Sequence, residues 1–205
     1  MLRTQTSRSE TYGEKGASLV DRIRISLVGA SIRRNIPKRN ELVALDLGCG
    51  YHATYLRSLL PQLSRGVGVD FRVSDECKGI RGLTFIENSV ESALPALPDG
   101  EFDVILFISV LEHLGDPLTA LIDCYRVLRN DGVLLLNVPT WNAKPVLEFS
   151  AFRLGTSPAC EMDEHKMYYS KRDLWPLLVR SGFRPSRIKL SYQKLGMILF
   201  GVAVK

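Results

Sequence analysis

At 205 residues, with 45% apolar and 24% charged side chains, the chain has the length and composition of a single soluble domain able to bury a sizeable core. No apolar run reaches the roughly 20 residues that cross a bilayer and no secretory leader is legible, so a cytoplasmic location is expected. The net charge of +5 is uneven: residues 1–40 hold nine Lys or Arg against three acids, and the remainder is close to neutral. The four cysteines (Cys49, Cys77, Cys124 and Cys160) share no C-x-x-C spacing, which points away from a zinc site or a disulfide framework.

Residues 17–36 place Leu19, Val20, Ile23, Leu27, Ile32 and Ile36 at near-helical spacing with arginines between, and Pro37 ends the pattern. This basic arm, 1–40, is expected to precede a catalytic-type domain over 41–205. Apolar runs then alternate with helical patterns. ELVALDLG (41–48), GVGVDF (66–71), LTFIEN (83–88), FDVILFIS (102–109) and VLLLNVP (133–139) read as strands. TYLRSLLPQ reads as a short helix. Asp116 and Pro117 open another, LTALIDCYRVLR, which the NDG stretch stops at Gly132. Residues 140–165 are irregular, and 140–169 as a whole is expected to act as a lid or substrate segment. Ser170 caps a further helix that ends at Gly182, and RIKLSY (187–192) with GMILFGVAV (196–204) reads as a terminal hairpin. Strands this continuously apolar imply a parallel sheet covered on both sides. The expected fold is α/β: a doubly wound, mostly parallel, seven-stranded sheet with an antiparallel C-terminal hairpin and helices on both faces.

In such a sheet, ligands bind beyond the carboxyl ends of the strands. The first strand ends at Asp46, and Gly48-Cys49-Gly50 turns into a helix, which allows a ligand close to the backbone. A lone G-x-G is weak, but Asp70 ends the next strand 22 residues past Gly48, where a carboxylate accepts from ribose hydroxyls. Ala53 stands where a dinucleotide motif would place its third glycine. Asp46 beside the loop would repel a pyrophosphate and attract an ammonium or sulfonium. The loop therefore points to S-adenosylmethionine.

LDLGCG, the acid of GVDF, FDVILFISVLEHLGDP, LRNDGVLLLNVP and EHKMYYSKRDLWPLLVRSGF together resemble the Rossmann-type (class I) S-adenosylmethionine-dependent methyltransferases, and in particular their small-molecule, type 11-like group. The resemblance covers about residues 40–205. It implies that Asp46 holds the methionine amino group, that Leu47, Gly48, Cys49 and Gly50 line the methionine moiety, and that Asp70 binds the ribose with Phe71 on the adenine. It further implies adenine contacts at Asn88, Ser89 and Val90, and main-chain contacts at Ile108 and Ser109. The family often has an aspartate where this chain has Ser89, a weaker acceptor.

His113 follows the fourth strand at the mouth of the expected pocket, as a general base or as a local hydrogen-bonder. His165, Tyr168 and Tyr169 precede the last helix, as acceptor contacts or as packing; Trp141 and Phe149 carry the same two readings. Asn137 ends the fifth strand, where its side chain is expected in the cleft. The reaction implied is an in-line displacement that leaves S-adenosylhomocysteine, with no metal ligand cluster in view. The region after the fourth strand lacks the Pro-Pro turn of amino-group methylases and the cysteine of cytosine C5 methylases. A small-molecule acceptor is the leading expectation. An RNA or protein acceptor held by the basic arm, a catalytically silent cofactor-binding subunit, and a peripheral membrane contact through 17–36 are the alternatives. Nucleic acid is disfavoured by the near-neutral 41–205 region, and the oligomeric state is open.

Overall fold

The computed structural model describes residues 19–145 and 166–205, with side chains from residue 25 onward. Thirteen strands and helices carry the fold among these residues. Helix α1 (Leu19–Asn35) leads into β1 (Leu42–Leu47), α2 (Thr54–Ser58) and β2 (Leu63–Asp70). Then follow α3 (Asp75–Lys78), β3 (Leu83–Glu87), α4 (Val90–Ala93) and β4 (Phe102–Ile108). Helix α5 (Pro117–Val127), β5 (Leu128–Pro139), α6 (Lys171–Arg180), β6 (Ile188–Gln193) and β7 (Ile198–Val204) complete the chain.

The seven strands form one sheet in the order β3-β2-β1-β4-β5-β7-β6. The β1–β2, β1–β4, β2–β3 and β4–β5 pairs are parallel, and β7 runs antiparallel between β5 and β6. The expected architecture is observed. Every residue of β1 and of β4 is buried, as strands covered on both faces require. Strand alternation splits the core in two. Leu45, Leu47, Phe107, Leu134 and Leu136 pack on one face with Leu121 and Cys124 of α5 and Leu174 and Leu178 of α6. Ala44, Val104, Leu106 and Leu135 pack on the other with Leu56 of α2 and with Val28 and Ile32 of α1. The C-terminal half of the α1 stripe therefore covers the sheet, while Leu27 remains exposed.

Both predicted caps are present. Asp116 accepts from Thr119 N at 3.1 Å with Pro117 at the first helical position. Ser170 and Asp173 form a reciprocal capping box on α6, and Gly182 follows that helix with φ 113°. One boundary differs from expectation. The helix predicted through Arg129 ends at Val127, and β5 already begins at Leu128, paired with Phe102. The NDG stretch is an irregularity within the strand rather than a helix stop: Asp131 takes φ 61°, and a Cβ on Gly132 would lie 2.9 Å from Arg129 O. Helices α3 and α4, each four residues long, are too short to leave a periodic trace in the sequence.

Candidate active site

The loop after β1 is fastened to the end of β2. Gly48 N and Cys49 N both donate to Val69 O, at 2.8 and 3.1 Å. Gly50 N donates to Asp70 Oδ2 at 2.7 Å, and Phe71 N donates to Asp70 Oδ1 at 2.8 Å. Both glycines lie in the left-handed region, at φ 71° and 74°, a conformation natural to glycine. Ala53 also adopts it, at φ 44°, so the third-glycine position keeps glycine-like backbone without glycine.

Asp46 is 1% exposed, and its Oδ2 has no hydrogen-bond partner among the described residues. Burial, reinforced by the negative charge of Asp70 and opposed by a backbone hydrogen bond from Leu56, pushes its carboxyl up to about 7. An enclosed carboxylate with one unpartnered oxygen beside a glycine turn is suited to a cation. Asp70 is only partly buried and holds its two backbone bonds with lone pairs to spare. Phe71 is 61% exposed, so its ring face is open to a planar group. Cys49 is buried, and burial together with Asp46 and Asp70 drives its thiol far upward; the side chain fills space and is no nucleophile. Leu47 is wholly buried in the core beneath the loop.

Asn88 and Ser89 lie beside this pair through Asn88 N, which donates to Asp70 O at 3.0 Å. Ser89 is engaged as the cap of α4: its Oγ accepts from Ser92 N at 3.1 Å. Asn88 Oδ1 accepts from Ser89 N, and Val90 is buried. At the end of β4, Ile108 is buried, whereas Ser109 is exposed with φ 57°. Ser109 binds Asn137 twice: its N–H donates to the Asn137 carbonyl at 3.1 Å, and its Oγ donates to Asn137 Oδ1 at 2.9 Å. The sequence placed Asn137 in the cleft but gave no sign of this double link.

His113 closes the short turn Leu111–His113 next to that strand end and is partly exposed. Its neighbour Glu112 is buried, an unexpected second acid there, and Glu112 O accepts from Lys166 N at 2.9 Å. Tyr168 is buried and tilted against Trp141, with ring centroids 5.7 Å apart, and the Lys144 ammonium lies 5.9 Å from both rings. Tyr169 is buried with no hydrogen-bond partner for its hydroxyl among the described residues. Burial and the charges of Glu112 and Asp173 push that hydroxyl up to about 12, which removes it as a base near neutrality. Trp141 Nε1 donates to Asp173 Oδ2 at 3.3 Å. A cavity of about 80 Å³ lies among Thr140, Trp141, Tyr169, Ser170 and Tyr192. His165 and Phe149 lie outside the described residues. No group of three or more His, Cys, Asp or Glu suited to a metal occurs among the described residues, and none of their helices is long and apolar enough to cross a membrane.

Residues 45–136 match a family model described as "Methyltransferase domain". This segment, from β1 to β5 and just under half of the chain, is a methyltransferase domain. This methyltransferase domain is similar to a probable S-adenosylmethionine-dependent methyltransferase of Mycolicibacterium smegmatis, 30% identical over 46% of this chain and 37% of that protein. It is also similar to a ubiquinone biosynthesis O-methyltransferase of Pseudomonas paraeruginosa, 26% identical over 67% of this chain and 51% of that one. The chain thus spans about a third to a half of the length of these curated relatives. Among solved structures, the fold is shared with a methyltransferase of Haloferax volcanii in complex with the Trm112 activator, at TM-score 0.71 and 15% identity, covering 90% of each chain. A methyltransferase of Archaeoglobus fulgidus superposes at TM-score 0.63 and 19% identity, covering 88% of this chain and 94% of that one.

Proposed function

We infer that the chain transfers a methyl group from S-adenosylmethionine to the O, N or C atom of a small metabolite, such as a sugar, a quinone or a lipid-linked compound. The observation that carries this reading is Asp46, an enclosed carboxylate with an unpartnered oxygen beside the glycine turn. It suits a cationic amino group and opposes a phosphate. When bound, the cofactor supplies an electrophilic methyl on a sulfonium, so the chain's own work is positioning and the handling of one proton.

In this reading Asp46 pairs with the amino group, and Asp70 accepts from the ribose hydroxyls on the lone pairs that Gly50 N and Phe71 N leave free. Phe71 stacks on the adenine, flanked by Asn88, Ser89 and Val90. Leu47, Gly48, Cys49, Ile108 and Ser109 line the methionine end. His113 and Tyr168 stand at the acceptor side, with His113 the candidate base. A small acceptor is supported by the likeness to ubiquinone biosynthesis O-methyltransferases and by the near-neutral charge of residues 41–205.

The fold shared with a Trm112-bound methyltransferase, together with the basic 1–40 region, favours a second reading: an enzyme that needs a protein activator and acts on a macromolecule. Calorimetric titration with S-adenosylhomocysteine tests the shared core of both readings. Micromolar binding, weakened tenfold or more in Asp70→Asn, is expected; no binding to the wild-type chain overturns it. Methyl transfer to phenols or sugars without any added protein then separates the first reading from the second.

A further inference from the structure

Resting on the methyltransferase reading, we propose that Asn137, held in one orientation by Ser109, binds the acceptor through its side-chain NH2 and selects an oxygen nucleophile. Three observations converge on the end of β5. First, strand alternation puts Asn137 on the sheet face of Val133 and Leu135, which is also the face of Asp46, Ile108 and helix α1. Asp46 is in register with Leu106, and Leu106 with Leu135. Asn137 therefore lies two strands across and two residues further along, about 12 Å from Asp46. It sits on the acceptor side of the β1/β4 switch point, on the same floor as the carboxylate assigned to the cofactor's amino end.

Second, the amide has a fixed polarity. Asn137 is 2% exposed, and Ser109 Oγ–H donates to its Oδ1, so the carbonyl is occupied and the NH2 faces away. Nothing among the described residues accepts from that NH2, although buried amide donors are nearly always paired. Nor is it one of the wholly enclosed unpaired atoms, as Asp46 Oδ2 is, so it keeps a little accessible surface at the carboxyl end of the sheet. Third, Ser109 holds this geometry at a cost. A non-glycine residue at φ 57° is strained, and such strain persists only where surrounding bonds over-determine it. Here the bonds that do so are the two from Ser109 to Asn137.

An amide NH2 is a donor with no lone pair to offer. It stabilises an atom that is rich in lone pairs, best an oxyanion, and it does nothing to orient the N–H bonds of an amine. In the transfer, the hydroxyl would first give its proton to His113, the candidate base, and Asn137 would hold the oxyanion that this leaves. The oxygen lone pair then forms the new C–O bond while the C–S bond breaks and its electron pair stays on sulfur. Asn137 would favour the ionised acceptor, and Ser109 is a positioning residue that acts through it.

The probe is 4-nitrophenol, titrated by absorbance against pH with protein saturated in S-adenosylhomocysteine. In the wild-type chain the bound phenol is expected to ionise at lower pH than free phenol, by about one unit. The shift should vanish in Asn137→Leu and reverse in Asn137→Asp. In Ser109→Ala the amide is free to turn, and the shift should fall by half or more. Ser109 is exposed, so that variant keeps the test alive if the Asn137 variants misfold. Identical curves for wild type, Asn137→Leu and Ser109→Ala would overturn the proposal, as would failure of the loaded wild-type chain to bind the phenol. Loss of S-adenosylhomocysteine binding by the wild-type chain would instead strike at the methyltransferase reading. Retained binding without the phenolate signature would sink the Asn137 role alone.

Discussion

Val110 Cγ2 lies 2.3 Å from where a Cβ on Gly48 would stand. Gly48 therefore cannot gain a side chain unless Val110 gives way, because the contact joins the loop after β1 to the turn after β4. Around Gly50, at nearly the same φ, nothing lies within 4 Å. Gly48→Ala is therefore expected to lose about 2–4 kcal/mol in urea unfolding, from backbone strain and overpacking together. Gly50→Ala should lose about 1 kcal/mol from strain alone. Adding Val110→Ala to Gly48→Ala should recover part of the loss, a non-additivity that a double-mutant cycle reads directly.

Asp46 is expected to make stability pH-dependent and, if it pairs with the cofactor's amino group as proposed, cofactor affinity as well. Its carboxyl keeps its proton in the folded apoprotein until about pH 7 but releases it near 3.8 in the unfolded chain. A folded value raised in this way favours the native state fully below about pH 4, and the benefit fades as pH rises through 7. Asp46→Asn should flatten that decline in thermal unfolding between pH 5 and 8. S-adenosylhomocysteine, whose amino group wants the ionised carboxylate, should bind about tenfold more weakly per pH unit below 7. Calorimetry in two buffers of different ionisation heat would show proton release on binding at pH 6 and little at pH 8.

Asp103 is buried at the start of β4 and accepts from Val43 N at 2.8 Å, Arg39 Nη2 at 2.5 Å and Arg129 Nη1 at 3.0 Å. Asp103→Ala leaves the Val43 amide unpaired, and about 2–3 kcal/mol should be lost in denaturant unfolding. Arg39→Ala should cost under about 1 kcal/mol, since that arginine side chain is 62% exposed.

Cys49, Cys77 and Cys124 are all buried and free, and burial pushes the Cys49 and Cys124 thiols upward. Peptide mass spectrometry after iodoacetamide should find these three unmodified in the native protein and alkylated in urea. Labelling of Cys49 in the native state would mean that the loop opens.

The apolar runs made the five parallel strands and the hairpin legible, because β1, β4 and the second half of β5 are buried on both faces and therefore almost wholly apolar. The glycine turn, Asp46 and Asp70 were legible for the same local reason: strand, turn and helix follow one another along the chain. The start of β5 was not, because Leu128 and Arg129 continue a helical pattern and only pairing with Phe102 draws them into the sheet. The bond from Ser109 to Asn137 was hidden too, since residues 28 apart meet only once β4 and β5 pair. Ser89 read as an adenine contact, yet its hydroxyl caps a helix too short to be seen in advance.

The bond from Gly50 N to Asp70 Oδ2 bears on how any mutational map of this pocket can be read. In the proposed reading one carboxylate serves both as a recognition group and as a fastener of the loop, so deleting it would remove a ligand contact and loosen the turn that shapes the neighbouring subsite. An alanine scan would charge both effects to Asp70 and overstate its direct share. Asparagine keeps an oxygen for Gly50 while removing the charge, so the gap between the two variants measures how much of the recognition is architecture.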